Sequence, residues 1–422
     1  MIRLIEASNY RSLKYISQSL GDFHVLIGAN ATGKTTFLDT IKFISDIVNL
    51  GIDKAVSLRA SYFDELTFAG KGHDLELAFE AELPINTKDL FHTNKYDTLR
   101  YELKVGIKPD TGELIIIYET LSLFVAELQP LPLKKTHNSF PQYLERSSIL
   151  DKKIVNPYRE VISRLPTGRC VFNSEYEEAS DKKAYWEGEF TFPRNKTALG
   201  NLPEDVTKFP ASTWLKSFLQ NGIQLFVLDS QVMRVPSPSG QSLQFNTDGS
   251  NLPWVIEDLK KNKKRFTQWI EHIQTALPDI TDIVTIERPE DRKRYIKVIY
   301  SNGIAVPAWL VSDGTLRLLA LTIPAYLSNL NGVYLIEEPE NGIHPRAIET
   351  VYSSLSSVYN AQILLASHSS IILGMVQPKQ LLCFAKTPEG VTDIVSGDEH
   401  PKLREWQGNP NLNYLFASGI LS

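Results

Sequence analysis

The segment GANATGKT, residues 28–35, constrains the fold of this chain more than any other part of the sequence. An apolar run, HVLI, precedes it, and behind it Phe37, Ile41 and Ile44 fall on one face of a helical pattern. The segment fits G-x-x-x-x-G-K-S/T in full, in the strand–loop–helix context that a phosphate-binding loop requires. We therefore predict a phosphate-binding loop inside an α/β fold.

Residue types within this loop suit a triphosphate ligand. Glycines allow the backbone to wrap closely around phosphate, so that N–H groups and the helix N-terminus point at the anion. Lys34 is predicted to reach the β- and γ-phosphates of ATP, and the Thr35 hydroxyl to ligate Mg²⁺. The predicted nucleotide-binding residues here are Gly28, Ala29, Asn30, Ala31, Thr32, Gly33, Lys34, Thr35 and Thr36.

Two further apolar runs end in polar segments in the same way. VYLI (333–336) precedes EEPENG, and ILLA (363–366) precedes SHSS. Runs without alternation are typical of strands buried on both faces, as in a mixed, mostly parallel sheet flanked by helices. Because ligands gather at the carboxyl ends of such strands, the three polar segments are predicted to meet at one edge of the sheet.

Adjacent glutamates, Glu337 and Glu338, follow VYLI. A phosphate loop needs a carboxylate from another strand to hold Mg²⁺, directly or through water, and Glu337 is predicted to form this metal site with Thr35. Glu338 is predicted to be the general base that polarises the attacking water. A solvated acidic turn is the alternative, which the apolar run before the pair disfavours.

A third motif, VSDGTLRLLAL at 311–321, narrows the class of ATPase. Ser312, Asp313 and Gly314 form a polar cap on a helix whose apolar residues share one face. The start of such a helix is an anion site. Taken alone, the segment would be an ordinary capped helix; its order relative to the other motifs favours a second element that contacts phosphate.

In the order NYRSLK, GANATGKTT, VSDGTLR, YLIEEPENGIHP and LLASHS, these motifs resemble the RecF/SMC/OLD-like branch of ABC ATPases. More narrowly, they resemble the stand-alone ATPases of bacterial antiphage defence systems. The resemblance implies an ABC-type nucleotide-binding head with an antiparallel β subdomain, formed by residues 1–124 and 295–422. Residues 125–294 would be an inserted mixed α/β lobe of unknown role.

The resemblance also implies a homodimer, or a higher homo-oligomer, built through the ATP sites. Two protomers would lie head to tail with two ATP molecules between them. Ser312, Asp313 and Gly314 would close over the γ-phosphate of the other protomer's nucleotide. Asn341 and Gly342 match the loop that crosses the interface.

Two more positions take their expected roles from the resemblance. His368 matches the switch histidine that senses the γ-phosphate, and it completes the predicted catalytic set with Lys34 and Glu338. Arg11 in NYRSLK matches a basic position near the nucleotide. The alternatives are that His368 is a hydrogen-bonded histidine at a strand end and that Arg11 is an ordinary surface arginine.

Two features depart from the family pattern. Glu337 stands where most ABC proteins carry aspartate, although the OLD-like branch tolerates glutamate. No glutamine occurs between Lys34 and Thr120, so the glutamine that usually couples the nucleotide to the second lobe has no candidate. Its absence, together with the long insert, disfavours a transporter ATPase subunit.

Composition bounds the partners and the compartment. A net charge of −5 argues against a general nucleic-acid coat, although KKNKKRF (260–266) is either a solvated helix end or a local DNA-contacting surface. Two cysteines, Cys170 and Cys383, fit a reducing compartment. Without a signal peptide or a bilayer-length apolar run, we expect a cytoplasmic protein with no membrane contact.

The segment after SHSS bears on the effector. About 50 residues follow it, too few for an additional nuclease domain of usual size. Asp398, Glu399 and His400 in this segment are expected to form a charged turn. We therefore expect any nuclease or toxin to be a separate chain.

Together these inferences predict a Mg²⁺-dependent ATPase that dimerises around ATP and signals to a partner effector. One alternative is a DNA repair or recombination ATPase that clamps DNA directly. The other is a nucleotide-gated scaffold that does not hydrolyse ATP.

Overall fold

A computed structural model of the chain describes residues 1–84, 96–129, 139–143, 148–150, 154–165, 167–176, 186–328 and 330–404. The strands are β1 (Ile2–Tyr10), β2 (Leu13–Ser19), β3 (Phe23–Ile27), β4 (Asp74–Glu82), β5 (Thr98–Ile107), β6 (Leu114–Phe124), β7 (Tyr158–Arg164), β8 (Arg169–Asn173), β9 (Glu187–Thr191), β10 (Ile223–Phe226), β11 (Ile280–Glu287), β12 (Arg294–Tyr300), β13 (Ala305–Pro307), β14 (Gly332–Glu337), β15 (Ala361–Ala366), β16 (Leu381–Lys386) and β17 (Thr392–Ser396).

The α-helices are α1 (Lys34–Leu50), α2 (Ile52–Ser57), α3 (Pro210–Ser217), α4 (Ser230–Arg234), α5 (Leu252–Leu259), α6 (Lys263–Ala276), α7 (Asp313–Thr322), α8 (Pro345–Ser356), α9 (Ser370–Met375) and α10 (Pro401–Arg404). Single 3₁₀ turns cover Phe63–Leu66, Phe68–Gly70, Ala126–Leu128, Leu199–Asn201, Ala308–Leu310, Ile323–Tyr326 and Pro378–Gln380, and a π turn covers Phe218–Gly222. No helix in the described ranges is both long and apolar enough to cross a membrane.

The three apolar runs form the centre of a mostly parallel sheet, as predicted. Its order among the described strands is β10-β14-β15-β3-β16-β17, and every pair is parallel except β16 with β17. Side chains alternate between two apolar cores: Leu26 and Leu364 face the core that contains residues of α1, while Val25 and Leu365 face the core that contains residues of α7 and α8. Burial on both faces explains why these strands are apolar without interruption.

A second sheet is entirely antiparallel. Its order within the described residues is β2-β1-β4-β5-β6-β7-β8-β9. Its strands β1, β2, β4, β5 and β6 lie within residues 1–124, which confirms the antiparallel β subdomain. The α/β class, with a mostly parallel sheet and an antiparallel β subdomain, is therefore confirmed.

Residues 125–294 contribute to both sheets. Strands β7, β8 and β9 extend the antiparallel sheet beyond β6, and β10 forms one edge of the parallel sheet. A smaller antiparallel sheet, β11-β12-β13, crosses the proposed boundary at residue 294, since β12 begins there. The division into a head of 1–124 and 295–422 and an inserted lobe stays a prediction.

Candidate active site

The carboxyl ends of β3, β14 and β15 meet at one edge of the parallel sheet and enclose a cavity of about 480 Å³. Residues predicted from three distant motifs share this cavity. Its lining consists of Arg11, Ser12, Asn30, Ala31, Thr32, Gly33, Lys34, Thr35, Thr36, Glu337, Glu338, Ala366, His368 and Lys386. The fold thus brings together segments that lie some 300 residues apart in the chain.

The loop 28–35 needs glycine at two positions. Gly28 has φ 151°, and a Cβ there would lie 2.3 Å from the Phe384 carbonyl oxygen. Gly33 has φ 105°, and a Cβ there would lie 2.6 Å from Thr392 Oγ1. No side chain caps α1, which begins directly after Gly33, so its first N–H groups remain available to an anion.

The side chain of Lys34 lies inside the loop. Its Nζ donates to the carbonyl oxygens of Gly28, at 2.8 Å, and Ala29, at 3.0 Å. Partial burial lowers the pKa of Lys34, while Glu338 and Glu337 oppose this shift. The loop therefore holds one positive charge in place before any phosphate is bound.

Thr35 and Glu337 form the predicted metal site. Thr35 Oγ1 donates to Glu337 Oε2 at 3.2 Å, so two hard oxygen ligands from different elements already lie together. Burial raises the pKa of Glu337, and the neighbouring charge of Glu338 adds to this, whereas Thr35 and Lys34 act against it. A divalent cation would relieve this destabilised negative charge. Mg²⁺ fits this pair, since it prefers oxygen and usually takes its remaining ligands from phosphate and water.

Glu338 directly follows β14 and itself has a left-handed backbone conformation. Its φ is 45°, its N–H donates to Ala366 O at 2.8 Å, and its side chain is about half exposed at the cavity. One carboxylate oxygen accepts from Asn341 Nδ2 at 2.5 Å, and the other lies 4.0 Å from His368 Nε2. A half-exposed carboxylate beside the phosphate loop can take a proton from water.

His368 and Arg11 complete the predicted residues that line this cavity. Burial lowers the pKa of His368, with the charge of Lys34 adding to this and Glu338 opposing it, so the neutral ring is favoured. The Arg11 guanidinium lies 3.6 Å from Asp39 Oδ2 and donates to Arg59 O at 3.3 Å. Both side chains line the same cavity as the phosphate loop.

The segment 312–314 lies outside the cavity formed by the described residues. Ser312 caps α7, accepting from Thr315 N at 3.2 Å, and Asp313 pairs with Arg234 at 2.6 Å. A Cβ on Gly314 would lie 2.7 Å from the carbonyl oxygen of Gly342. The start of α7 thus abuts the exposed Asn341–Gly342 loop of the same chain.

Sequence reasoning missed several residues of the site. Ser12 and Lys386 line the cavity. Thr392 donates its hydroxyl to Thr32 O at 2.8 Å and its N–H to Ser12 O at 3.0 Å. Glu340 stood inside the EEPENG motif and could have been found there. Lys386 and Thr392 carry no local signal, because only the order of β3, β16 and β17 brings them close.

A phosphate loop and two strand-end carboxylates on a mostly parallel sheet are typical of P-loop ATPases. Residues 23–374 match a family model described as "AAA domain, putative AbiEii toxin, Type IV TA system". This match spans more than half of the chain, and the chain belongs to this family. The ATPase assignment and the ABC-like resemblance are thereby confirmed.

Solved structures with a similar fold are heads of SMC proteins. The crystal structure of an SMC head bound to the C-terminal winged-helix domain of ScpA has a TM-score of 0.50 at 16% identity, covering 94% of this chain and 97% of that chain. The SMC head domain from Thermotoga maritima has a TM-score of 0.43 at 11% identity, covering 94% and 98%. At such identities the likeness shows the fold alone. A search of curated proteins found no match to the sequence.

Proposed function

We propose that this ATPase binds ATP with Mg²⁺, closes into a homodimer around the nucleotide, and regulates a separate effector protein in bacterial antiphage defence. One observation carries the proposal. The cavity is lined by the phosphate loop, both glutamates and His368. Outside it, the segment 312–314, in which Ser312 and Asp313 are exposed, adjoins the exposed segment 341–342. A single chain therefore presents one phosphate site and, outside it, a second surface that is free to approach the nucleotide of another copy.

Residues that line the cavity have different roles in hydrolysis. The N–H groups at the start of α1 and the Lys34 ammonium hold phosphate oxygens, and Thr35 and Glu337 would hold Mg²⁺, which supplies charge stabilisation at the phosphates. Glu338 accepts a proton from the attacking water. The neutral ring of His368, 4.0 Å from Glu338, is placed to hydrogen-bond a γ-phosphate oxygen or that water.

Dimerisation would complete the site from the other protomer. Ser312 and Asp313 are exposed at the N-terminus of α7, where backbone N–H groups favour an anion. Asn341 and Gly342 are exposed next to them. Placing this surface over the cavity of a second copy would add hydrogen-bond donors to the γ-phosphate. Loss of the γ-phosphate on hydrolysis would then reopen the dimer.

One observation supports the effector, and another supports the compartment. The family description names a putative toxin and a Type IV TA system, which supports a toxin as the effector. Cys170 and Cys383 are free and buried, as suits the reducing cytoplasm in which we place the protein. An effector, such as a nuclease or toxin, would then recognise the closed dimer.

Replacing Glu338 tests the gating mechanism. Glu338→Gln keeps the shape of the side chain but removes the base, so we expect turnover to fall by roughly a hundredfold or more while ATP still binds. Light scattering should then show an ATP-dependent dimer that persists. Glu349→Gln, on the exposed face of α8, is the matched control and should behave like wild type. Normal hydrolysis by Glu338→Gln would contradict the assignment of the base.

Identifying the partner uses the same variant. Proteins recovered from the native host with ATP-loaded Glu338→Gln, but not with Lys34→Ala, are the candidates for the effector. DNA affinity that rises with ATP and falls steeply with salt, in the absence of any protein partner, would favour the DNA-clamping alternative instead.

A further inference from the structure

Glu340 has no part in the chemistry described above, yet its carboxylate joins two loops of the site. Its Oε1 accepts from Ser367 Oγ at 2.7 Å and from the His368 N–H at 2.8 Å. Ser367 is itself buried, and its Oγ accepts from Ser369 N at 2.9 Å at the start of α9. One carboxylate oxygen of Glu340 therefore anchors Ser367 and the backbone of His368, which carries the imidazole ring.

The backbone of Glu340 belongs to the exposed loop on the other side. Asn341 N donates to Glu338 O at 3.0 Å and Ile343 N donates to Glu340 O at 3.1 Å, which makes residues 338–343 a compact double turn. Asn341 and Gly342, the residues next in the chain, are exposed. Glu340 thus contributes its main chain to the outward-facing loop and its side chain to the histidine loop.

The two nearby glutamates contact His368 differently. Glu338 is about half exposed and approaches only the ring, at 4.0 Å. Glu340 binds the backbone N–H, and charge-assisted hydrogen bonds of this kind are stronger than neutral ones. The second oxygen of Glu340 is buried without a hydrogen-bond partner within the described residues. Since an unpaired buried carboxylate oxygen is destabilising, a contribution to stability does not by itself account for this side chain.

We propose that Glu340 is a positioning residue that fastens the His368 loop to the Asn341–Gly342 loop. The group that senses the γ-phosphate and the loop that faces the second protomer then move as one unit. The roles of His368 and Asn341 rest on the proposed function, but the connection itself lies within a single chain. Its effect on hydrolysis can therefore be measured whether or not the protein dimerises as proposed.

The first experiment compares kcat for Glu340→Ala, Glu340→Gln and the surface control Glu349→Ala. Alanine removes the shared acceptor, and we expect kcat to fall by roughly tenfold to a hundredfold while ATP affinity and Tm stay near wild type. Glutamine keeps one oxygen that can accept both hydrogen bonds, so it should restore most of kcat. Because glutamine also restores the volume of the side chain, Glu340→Leu, which fills much of that volume without an acceptor, is the packing control and should stay as slow as Glu340→Ala.

Two results would overturn the proposal. One is a kcat for Glu340→Ala within about twofold of wild type, well below the effect of losing a charge-assisted hydrogen bond. The other is a loss of kcat that glutamine does not restore. If the alanine variant does not fold, Ser367→Ala replaces it, because it removes one of the two donors to Glu340 Oε1. An unchanged kcat in that variant would equally contradict the role of the connection.

A second experiment tests the coupling to the dimer. In the background of Glu338→Gln, adding Glu340→Ala should raise the ATP concentration for half-maximal dimerisation by roughly tenfold. An unchanged ATP dependence would refute the coupling. If Glu338→Gln alone forms no dimer with ATP, the proposed function fails, and the kcat comparison still decides the role of Glu340.

Discussion

Both large sheets of this ATPase contain clustered carboxylates, but the two clusters differ in how they are paired with cations. In the antiparallel sheet, Arg100 lies within 3.2 Å of carboxylate oxygens of Glu6, Glu80 and Glu102, and all four side chains are buried. At the edge of the parallel sheet, the glutamate pair 337–338 forms no ion pair with arginine or lysine within the described part of the chain. The first cluster is ion-paired with arginine within the protein, and the second is not.

This difference separates a structural cluster from a functional one. Buried carboxylates are tolerated when a cation and hydrogen bonds offset their desolvation, which Arg100 does for its three partners. Lys34, the cation beside the other pair, directs its hydrogen bonds to the carbonyl oxygens of Gly28 and Ala29 instead. The negative charge left at the edge of the parallel sheet is what a bound Mg²⁺ would neutralise.

Replacing Lys34 should have the largest effect and should spare the fold. Lys34→Ala removes the cation that the phosphate loop presents, so we expect ATP binding to be lost and turnover to fall by about a thousandfold or more. Isothermal titration and a steady-state ATPase assay measure both. Lys42→Ala, on the same helix, is the control and should retain ATP affinity. Unchanged affinity in Lys34→Ala would mean that the loop does not bind the phosphates.

Replacing Arg100 should have the reverse pattern, affecting stability rather than chemistry. Arg100→Ala leaves three buried carboxylates without their shared cation, and we expect the free energy of unfolding to fall by about 3 to 5 kcal/mol. Denaturant unfolding measures this loss. The folded fraction should bind ATP with ordinary affinity.

A matched surface pair controls for this change. Arg169 and Glu189 lie 2.8 Å apart with both side chains about half exposed, so Arg169→Ala should cost less than about 1 kcal/mol. If Arg100→Ala were no more destabilising than Arg169→Ala, the buried cluster would not be the stabilising element that we describe.

Glu175 extends this comparison of carboxylates, since the groups that donate hydrogen bonds to it are neutral. It accepts from Ala211 N and Ser212 N, both at 2.7 Å, and from Ser212 Oγ at 2.6 Å. Burial raises the pKa of Glu175 to about 7, against the effect of these hydrogen bonds. The folded protein therefore holds this proton more tightly than the unfolded chain, and the stability linked to Glu175 falls as the pH rises from 4.5 towards 7 and above.

The expected change is the smallest of the three. Relative to Glu175→Gln, wild type should lose about 2 to 3 kcal/mol of unfolding free energy between pH 5 and pH 8. Denaturant unfolding at several pH values measures it, with the exposed Glu290→Gln as the control. Unfolding free energies of wild type and Glu175→Gln that run parallel over this range would contradict the raised pKa.

Much of the site could be predicted because its chemistry is written in short segments. The loop from Gly28 to Thr36 is one continuous motif, and Glu337 and Glu338 directly follow an apolar strand. Arg11 and His368 were reached through resemblance, and their side chains do line the same cavity. Their chemical roles, like those of segment 312–314, stay predictions.

Other features were beyond sequence reasoning because they depend on which strands are neighbours. The boundary at residue 124 was drawn where motifs end, yet hydrogen bonds between β6 and β7 continue one sheet across it. The ion-paired cluster around Arg100 was also not predicted, since Glu6, Glu80 and Glu102 come from strands β1, β4 and β5, and their alignment depends on register.

Local sequence was enough to identify the phosphate loop and the acidic strand end, because each depends on residues within one turn or strand of each other. The order of the motifs along the chain indicated the class of enzyme. Only the tertiary structure decided that Lys386 and Thr392 border the phosphate loop and that Glu340 binds the His368 backbone. These contacts arise from the order β14-β15-β3-β16-β17, which brings residues from opposite ends of the chain to one edge of a sheet. Local pattern specifies a strand, but its neighbours are chosen by packing across the whole molecule.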